Sequence, residues 1–372
     1  MTSANPIPIQ PTIGASGVTA DPRARGLAGW MFTLAAMVFI MVVVGGITRL
    51  TESGLSIVDW RPFTGLFPPM NEGEWQRVFE AYQAYPEFQK VNREMTLAAF
   101  KGIFWWEYIH RLWGRLIGVV FLLPFIYFLA SGTLRGPAAW RTSLAFVLGG
   151  AQAGLGWFMV KSGLADDPRV SPYRLAAHLG LAVIIYGYLL WLALAFRDQY
   201  RAPIRLHTRA PAWTRRAAGL LLAWVFLVIL SGAFVAGLDA GLAYNTFPLM
   251  GGEWVPPDLF HLTPVWRNFF ENVTLVQFDH RLLGTLTLFL TIALALAVWR
   301  AARQQLIPAP ALAGFHVMAG VAALQVILGV ATLLAYVPVS LGALHQANAL
   351  VLFTLALWTR YRLTDHGRHE TG

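Results

Sequence analysis

The segment Glu107-Tyr-Ile-His-Arg-Leu-Trp-Gly-Arg-Leu116 has a counterpart in the second half of the chain, Gln277-Phe-Asp-His-Arg-Leu-Leu-Gly-Thr-Leu286. The histidines of the two copies, His110 and His280, are 170 residues apart. In each copy a histidine and an arginine stand near the start of a long apolar stretch, where ionisable side chains are costly and usually functional. The repeated segment therefore predicts two related sites inside a membrane.

Three further pairs of segments repeat in the same order. They are Gln152-Ala-Gly-Leu-Gly156 with Gln325-Val-Ile-Leu-Gly329, His178-Leu-Gly-Leu-Ala182 with His345-Gln-Ala-Asn-Ala349, and Phe67-Pro-Pro-Met-Asn-Glu-Gly-Glu-Trp75 with Phe247-Pro-Leu-Met-Gly-Gly-Glu-Trp254. Ordered copies at a nearly constant offset indicate a tandem duplication. Each half has an even number of predicted membrane spans, so the halves run parallel and are related by an axis along the membrane normal.

The composition is typical of a membrane protein, because 56% of the 372 residues are hydrophobic and only 13% are charged. A soluble domain carries about 25% charged residues. Eight stretches approach the roughly 20 apolar residues that cross a bilayer. They are residues 30–47, 104–130, 144–160, 175–196, 217–238, 282–299, 311–337 and 341–358. We predict an all-α polytopic protein with eight transmembrane helices, arranged as two tandem four-helix bundles.

An arginine-rich linker separates the two predicted bundles. The predicted parts are an N-terminal tail (1–27), a first bundle (28–196) with a long outer loop (49–103), the linker (197–214), a second bundle (215–362) and a C-terminal tail (363–372). Long ordered loops usually have a function, and we expect helices from the first loop to cover the mouth of its bundle.

The net charge of +9 is unevenly distributed. The segments on the same side as both termini hold fifteen basic and four acidic residues, whereas the rest of the chain is slightly acidic. The positive-inside rule places that side in the cytoplasm, so the charge is a topology signal and does not indicate nucleic-acid binding. The N-terminal tail has no apolar core typical of a signal peptide, and the pattern fits a bacterial inner membrane best.

The chain has no cysteine. Disulfides, thiolate metal sites, cysteine-ligated iron–sulfur clusters and covalent c-type heme attachment are therefore excluded.

Four of the nine histidines form a pattern: His110, His178, His280 and His345 lie on the four even-numbered spans. With helices beginning near residues 103, 172, 272 and 338, each histidine lies about two turns, roughly 10 Å, into its helix. Each half then has two imidazoles at matched depth, as a six-coordinate heme iron requires. The alternative is that each histidine merely hydrogen-bonds across helices. We expect structural roles for the other five, His207, His261, His316, His366 and His369.

Glu107 lies one helical turn before His110, on the same helix face, whereas the equivalent residue of the second half is Gln277. A carboxyl group there could handle protons, and an amide could not. The asymmetry suggests that the first half performs chemistry and the second holds a permanent cofactor. The alternative is that Glu107 pairs with Arg111 or with another arginine near the membrane interface. Arg111 and Arg281 could neutralise heme propionates, or equally could bind an acidic loop partner.

Two motifs resemble the heme A synthase family. They are Gly45-Gly-Ile-Thr-Arg-Leu-Thr-Glu-Ser-Gly-Leu-Ser-Ile-Val-Asp-Trp60 and Glu107-Tyr-Ile-His-Arg-Leu-Trp-Gly-Arg115. The long first loop, including Tyr85-Pro-Glu-Phe-Gln-Lys-Val-Asn-Arg-Glu-Met-Thr96, resembles the proteobacterial and mitochondrial branch. Some members carry a cysteine pair in their outer loops, and this chain lacks it.

The resemblance implies an oxidoreductase acting on a CH or CH2 group, which oxidises the C8 methyl of heme O to a formyl group by successive hydroxylations and loss of water. It assigns a heme b cofactor to His280 and His345. It assigns the substrate heme to His110 and His178, with Glu107 as the catalytic residue. Implied partners are heme O synthase, cytochrome oxidase assembly proteins and membrane lipid, and the sequence leaves a homo-oligomer open.

Two rival functions remain open from the residues. One is a diheme b-type electron-transfer cytochrome, which would hold two permanent hemes. The other is a heme transporter or chaperone, which would exchange heme without altering the porphyrin. Glu107 favours the enzyme, because neither rival requires a titratable group beside one histidine pair.

Overall fold

The computed structural model describes residues 22–59, 66–164, 170–201, 210–303, 307 and 309–364. Within these ranges, eight helices are long and apolar enough to cross a bilayer, which confirms the predicted all-α polytopic fold. They are α1 (Arg23–Leu50), α4 (Leu97–Ala130), α5 (Gly136–Gly163), α6 (Pro172–Arg201), α7 (Ala212–Gly237), α9 (Val273–Ala302), α10 (Ala309–Leu334) and α11 (Val339–Arg362). Three shorter helices are α2 (Glu72–Gln83), α3 (Pro86–Lys90) and α8 (Asn268–Glu271).

The long helices alternate in direction, so the bundle has two faces. The loop face carries α2, α3 and α8, and the terminal face carries the described ends of the chain near Pro22 and Thr364. Residues 1–21 and 365–372 of the predicted tails, residues 202–209 of the predicted linker, and Trp60 lie outside the described residues.

Polar caps fix where several helices begin on the loop face. The Asn272 side chain accepts hydrogen bonds from the backbone N–H groups of Thr274 and Leu275 at the start of α9. Thr96 caps α4 in the same way. Such caps satisfy donors that have no partner within the helix. As expected, α9 starts beside Asn272, α6 starts at Pro172, and α11 follows Pro338.

The start of α4 differs from the sequence expectation. We expected the helix to begin near residue 103, but it begins at Leu97 and extends further toward the loop face. The physical reason is aromatic packing: Phe100 and Phe104 of α4 form a buried cluster with Trp75 and Phe79 of α2. This contact also confirms that the first loop forms a helix, which packs against the loop-face end of the bundle.

The packing of the long helices fits two four-helix units side by side. In the first, α1 packs against α4 and α6, and α5 packs against α6; in the second, α7, α9, α10 and α11 form a ring of four packed neighbours. The units meet along a seam where α1 and α6 contact α7 and α11. The one weak side is in the first unit, where α4 and α5 make few contacts, although their counterparts α9 and α10 pack closely.

Polar contacts cross the seam at several depths. On the loop face, Arg49 forms an ion pair with Asp239 at 2.7 Å. Deeper in the bundle, the Gln346 amide of α11 donates to the Val42 carbonyl of α1 at 2.8 Å. Gly46 of α1 leaves the space for Gln346, because a Cβ atom at that position would overlap the Gln346 amide. The second glycine and the arginine of the Gly-Gly-Ile-Thr-Arg motif, Gly46 and Arg49, are therefore the residues of this motif that make contacts across the seam.

Candidate functional site

The second unit brings His280 of α9 and His345 of α11 face to face. Their ring centres are 6.3 Å apart and the ring planes are inclined by 81°. Two imidazoles that share one metal ion, each with a nitrogen about 2 Å from the metal, have ring centres roughly 6 Å apart. The separation of this histidine pair therefore matches bis-imidazole ligation of a single iron atom.

A serine orients one imidazole of this pair. The Ser231 hydroxyl lies 2.8 Å from Nδ1 of His280 and donates its own hydrogen to the Val228 carbonyl at 2.8 Å. Because the hydroxyl hydrogen is used there, the bond to the histidine requires Nδ1–H of His280 as the donor. This tautomer leaves Nε2 of His280 with a lone pair for a metal, and histidines that bind metals commonly donate their other ring N–H to a neighbouring oxygen in this way.

The other imidazole is held by an amide pair. The Gln325 amide of α10 donates to the His345 backbone carbonyl at 3.1 Å and lies 3.2 Å from Nδ1 of that ring. Asn348 in turn donates to the Gln325 amide oxygen at 2.7 Å. This network fixes both the helix and the side chain that carry the ligand.

The first unit repeats this plan with fewer fixed partners. Its histidines, His110 of α4 and His178 of α6, are close enough to interact electrostatically. Gln152 contacts His178 as Gln325 contacts His345, with the same 3.1 Å bond to the backbone carbonyl. However, Leu181 stands where Asn348 would fix the amide, and Oε1 of Gln152 is buried with no hydrogen-bond partner among the described residues.

His110 also has a less polar neighbour than His280. The glycine beside it is Gly45, and the residue before that glycine is Val44, whereas Ser231 precedes the equivalent Gly232. The second unit is thus built to hold one fixed imidazole pair. The first unit has the equivalent two imidazoles, with fewer polar side chains to orient them.

Glu107 is 2% exposed and lies at the loop-face rim of the first unit. One carboxylate oxygen accepts from the Ser56 hydroxyl and the Ile57 backbone N–H, both at 2.7 Å. The other accepts from the Arg111 guanidinium at 2.6 and 2.9 Å. The pairing of Glu107 with Arg111, one of the two alternatives from the sequence, is therefore present. The hydrogen bonds from Ser56 and Ile57 to the same carboxylate connect the first loop to α4.

The equivalent residues of the second unit make this contact without a carboxylate. The Gln277 amide and the Arg281 guanidinium both donate to the Tyr244 backbone carbonyl, at 3.1 and 2.5 Å. Arg281 has no acidic partner among the residues described, and its Nε–H is buried without an acceptor. A guanidinium in this state is suited to bind an anion at the rim.

Arg111 lines a pocket of about 340 Å³ between the first loop and α5. Lys161 and Trp157 of α5 line it as well, and the Lys161 ammonium lies over the Trp157 ring, 4.9 Å from its centre. Two cations beside an aromatic surface suit an anionic, planar ligand at the loop-face rim.

The two other histidines of the described chain, His261 and His316, lie away from both pairs. His261 bonds to the Asp258 backbone in a loop and His316 bonds to Leu312 within α10. His207, His366 and His369 are outside the described residues. A zinc site needs three or four clustered ligands, and the described part of the chain contains no cluster of three histidine or acidic side chains.

Sequence reasoning missed Ser231, Asn348 and Ser56 as partners of the site. Ser231 and Asn348 have no counterpart in the repeat, so periodicity gave no signal for them. Gln152 and Gln325 did have a signal, because each opens a repeated segment that ends at a glycine touching a histidine.

Known proteins resemble the chain over most of its length. Residues 28–357 match the cytochrome oxidase assembly protein family, COX15-CtaA. The chain is 48% identical to a heme A synthase of Nitrosospira multiformis, over 91% of this chain and 94% of that protein. It is 48% identical to a heme A synthase of Parvibaculum lavamentivorans, over 95% and 99%, and 45% identical to the heme A synthase of Mus musculus, over 93% and 84%.

Proposed function

The chain belongs to the cytochrome oxidase assembly protein family, and from this membership we propose that it is a heme A synthase, which converts the C8 methyl group of heme O to a formyl group by successive hydroxylations and loss of water. The observation that carries the proposal is the contrast between its two histidine pairs. One pair is oriented by Ser231 and Asn348, whereas the other lies in a looser unit beside the carboxylate Glu107. A permanent cofactor and an exchanging substrate need these two kinds of site.

His280 and His345 are the proposed ligands of a heme b cofactor. The 6.3 Å separation of the rings and the donor role of the Nδ1–H of His280 support this assignment. When bound there, heme b supplies an electron-transfer centre near the substrate unit. Arg281, whose Nε–H lacks an acceptor, is the proposed contact for one propionate.

His110 and His178 are the proposed axial ligands of the substrate heme. Glu107 lies one helical turn from His110, and oxidation of a methyl group releases protons that a nearby carboxylate can accept. Arg111 holds that carboxylate in place and, with the adjacent rim pocket, is the proposed contact for substrate propionates. Glu107 is therefore proposed as the catalytic residue.

We propose that the terminal face is cytoplasmic and that the protein lies in a bacterial inner membrane. The concentration of arginine on the segments of that face supports this orientation. Heme O synthase would then supply the substrate, and cytochrome oxidase assembly proteins would receive the product.

Pigment analysis tests the function directly. The chain should be expressed in cells that make heme O and lack their own heme A synthase, and the extracted hemes separated by chromatography. Heme A should appear with the wild-type chain and be absent with His110→Ala. An unchanged heme O pool, with two hemes bound to the purified protein, would instead support the electron-transfer cytochrome. An unchanged pool with heme that exchanges freely would support the carrier.

A further inference from the structure

The first unit is open on one side, between α4 and α5, and the second unit is closed at the equivalent place. Near the terminal face, α4 and α5 do meet: Phe146 of α5 contacts Phe121 and Phe125 of α4, with ring centres 5.6 and 6.2 Å apart. The opening therefore begins on the loop-face side of this aromatic contact and extends toward His110 and His178.

Glycines line both sides of the opening just above its aromatic floor. Gly118 lies one turn from Phe121 on the same face of α4, and Gly149 and Gly150 lie one turn from Phe146 on α5. A Cβ atom added at any of the three would meet no other atom within 4 Å. Gly118 is about 12 Å along α4 from His110, and Gly149 is about 10 Å along α5 from Gly156, which touches His178. The glycines therefore share one depth.

The face of α5 that carries Gly149 points into the unit. Thr142 and Ala145 on this face are buried, and Gln152 and Gly156 on the same face contact His178. Gly149, between them, is exposed. The opening is thus continuous with the space beside the proposed substrate ligand.

The second unit fills the same positions with side chains. Leu288 stands where Gly118 does, and Ala322 and Ala323 stand where Gly149 and Gly150 do. Ala322 is 1% exposed, and Leu288 is one of the partly buried apolar side chains that pack against the core. The difference between the units is therefore specific to the half proposed to bind the substrate.

We propose that the opening between α4 and α5 is the binding site for the long isoprenoid chain of the substrate heme, and that the substrate enters and leaves through it from the lipid. This rests on the proposed function, since heme O carries such a chain and heme B does not. An apolar chain leaving the porphyrin toward the middle of the bilayer would lie on the glycines and end against Phe121, Phe125 and Phe146. A cofactor without that chain needs no such opening.

Binding titrations with two hemes test the proposal. Purified protein that retains its resident heme should bind heme O about tenfold more tightly than heme B, and the combined Gly118→Leu and Gly149→Leu substitutions should remove that preference and leave heme B binding unchanged. Gly320→Leu on α10 is the matched control, because Gly320 also faces open space but lies in the second unit. Equal heme O affinity in the double variant and the wild type would overturn the proposal.

A leucine variant that fails to fold would lose the absorption spectrum of the resident heme. In that case a second measurement, on a cysteine variant, tests the proposal. The chain lacks cysteine, so Gly149→Cys introduces one thiol. Heme O should protect this thiol from a membrane-permeant maleimide, and heme B should not. Equal labelling with both hemes would contradict the inference. A wild-type chain that shows the preference and the protection but forms no heme A would disprove the proposed function and leave the binding site standing.

Discussion

Beside each of the four paired histidines, a glycine on a neighbouring helix sets how closely the imidazole can approach that helix. A Cβ atom at Gly156 or Gly329 would lie 2.9 Å from the ring of His178 or His345. Gly45 and Gly232 stand beside His110 and His280 in the same way, at 3.2 and 3.1 Å. Side chains at these glycines would displace the rings, so the backbone there forms a wall of each site.

The first prediction concerns Glu107→Gln. Gln277 shows that a neutral amide fits the equivalent place beside Arg281, so the variant should fold and keep its resident heme. Loss of a proton acceptor typically costs about 10²–10⁴-fold in rate. We expect accumulation of heme O or a partly oxidised intermediate with little heme A, measured by chromatography of extracted hemes.

Two outcomes would contradict the catalytic role of Glu107. Normal heme A formation would show that the carboxylate only anchors the first loop. Disappearance of the protein from the membrane would show that the carboxylate is needed for folding, through Arg111, Ser56 and Ile57. Ser56→Ala, which removes one of the four donors and keeps the charge, is the matched control for the anchoring role.

The second prediction tests whether the second unit holds the resident heme. His280→Ala or His345→Ala should remove or strongly perturb the resident low-spin heme, because the axial pair is then incomplete. Ser231→Ala should keep His280 but weaken heme retention by roughly 10- to 100-fold, because the hydroxyl that orients the imidazole is lost. Heme content and the reduced absorption spectrum of the purified proteins measure both effects. A normal spectrum in either histidine variant would place the cofactor elsewhere.

At the scale of elements, the first loop contains a buried carboxyl group whose protonation makes the stability of the loop depend on pH. Glu87 of α3 is 7% exposed, and one of its carboxyl oxygens has no partner within the described chain. Burial, together with the charges of Glu107 and Glu52, raises the pKa of Glu87 to about 7, although the hydrogen bond with the Tyr82 hydroxyl acts in the opposite direction. The carboxyl group is therefore largely protonated when the loop is folded in mildly acidic solution.

The third prediction follows from this shift. Because the folded pKa lies above the unfolded value of 4.5, the contribution of Glu87 to loop stability is fully present below about pH 4.5 and is lost as pH rises through about 7. Amide exchange in residues 72–90, corrected for intrinsic rates, should show weaker protection at pH 8 than at pH 5.5. Glu87→Gln should abolish the difference, and a difference that persists in the variant would assign it to another group.

The elements also show how far the sequence predicts this molecule. The eight apolar stretches and the repeat were sufficient to predict the long helices and to pick out His280 and His345, which the fold brings together. The beginning of α4 was not predictable, because aromatic contacts with α2 extend it beyond its apolar part. Ser231 and Asn348 were not predictable either, since their roles depend on which helix faces each histidine.

At the scale of the whole molecule, the seam joins two units of one plan that differ in closure. The seam helices α1, α6, α7 and α11 are the more buried ones, whereas α4 and α5 are mostly exposed to the membrane. Contacts such as Tyr186 with Thr354, at 2.6 Å, couple α6 to α11 directly. A duplicated fold of this kind can keep one unit closed around a cofactor and leave the other open to a ligand.

The fourth prediction concerns the orientation of this whole assembly. The eight long helices of the described chain place Pro22 and Thr364 on one side, and that side carries the arginine excess near Arg135, Arg141, Arg300 and Arg303. Arginine and lysine are retained on the cytoplasmic side, so the loop face with α2 and Glu107 should face outside. A phosphatase reporter, active only outside the cytoplasm, should be active when inserted near Asn71 and inactive after Arg362. The reverse pattern would invert the orientation and place proton release from the Glu107 rim on the cytoplasmic side.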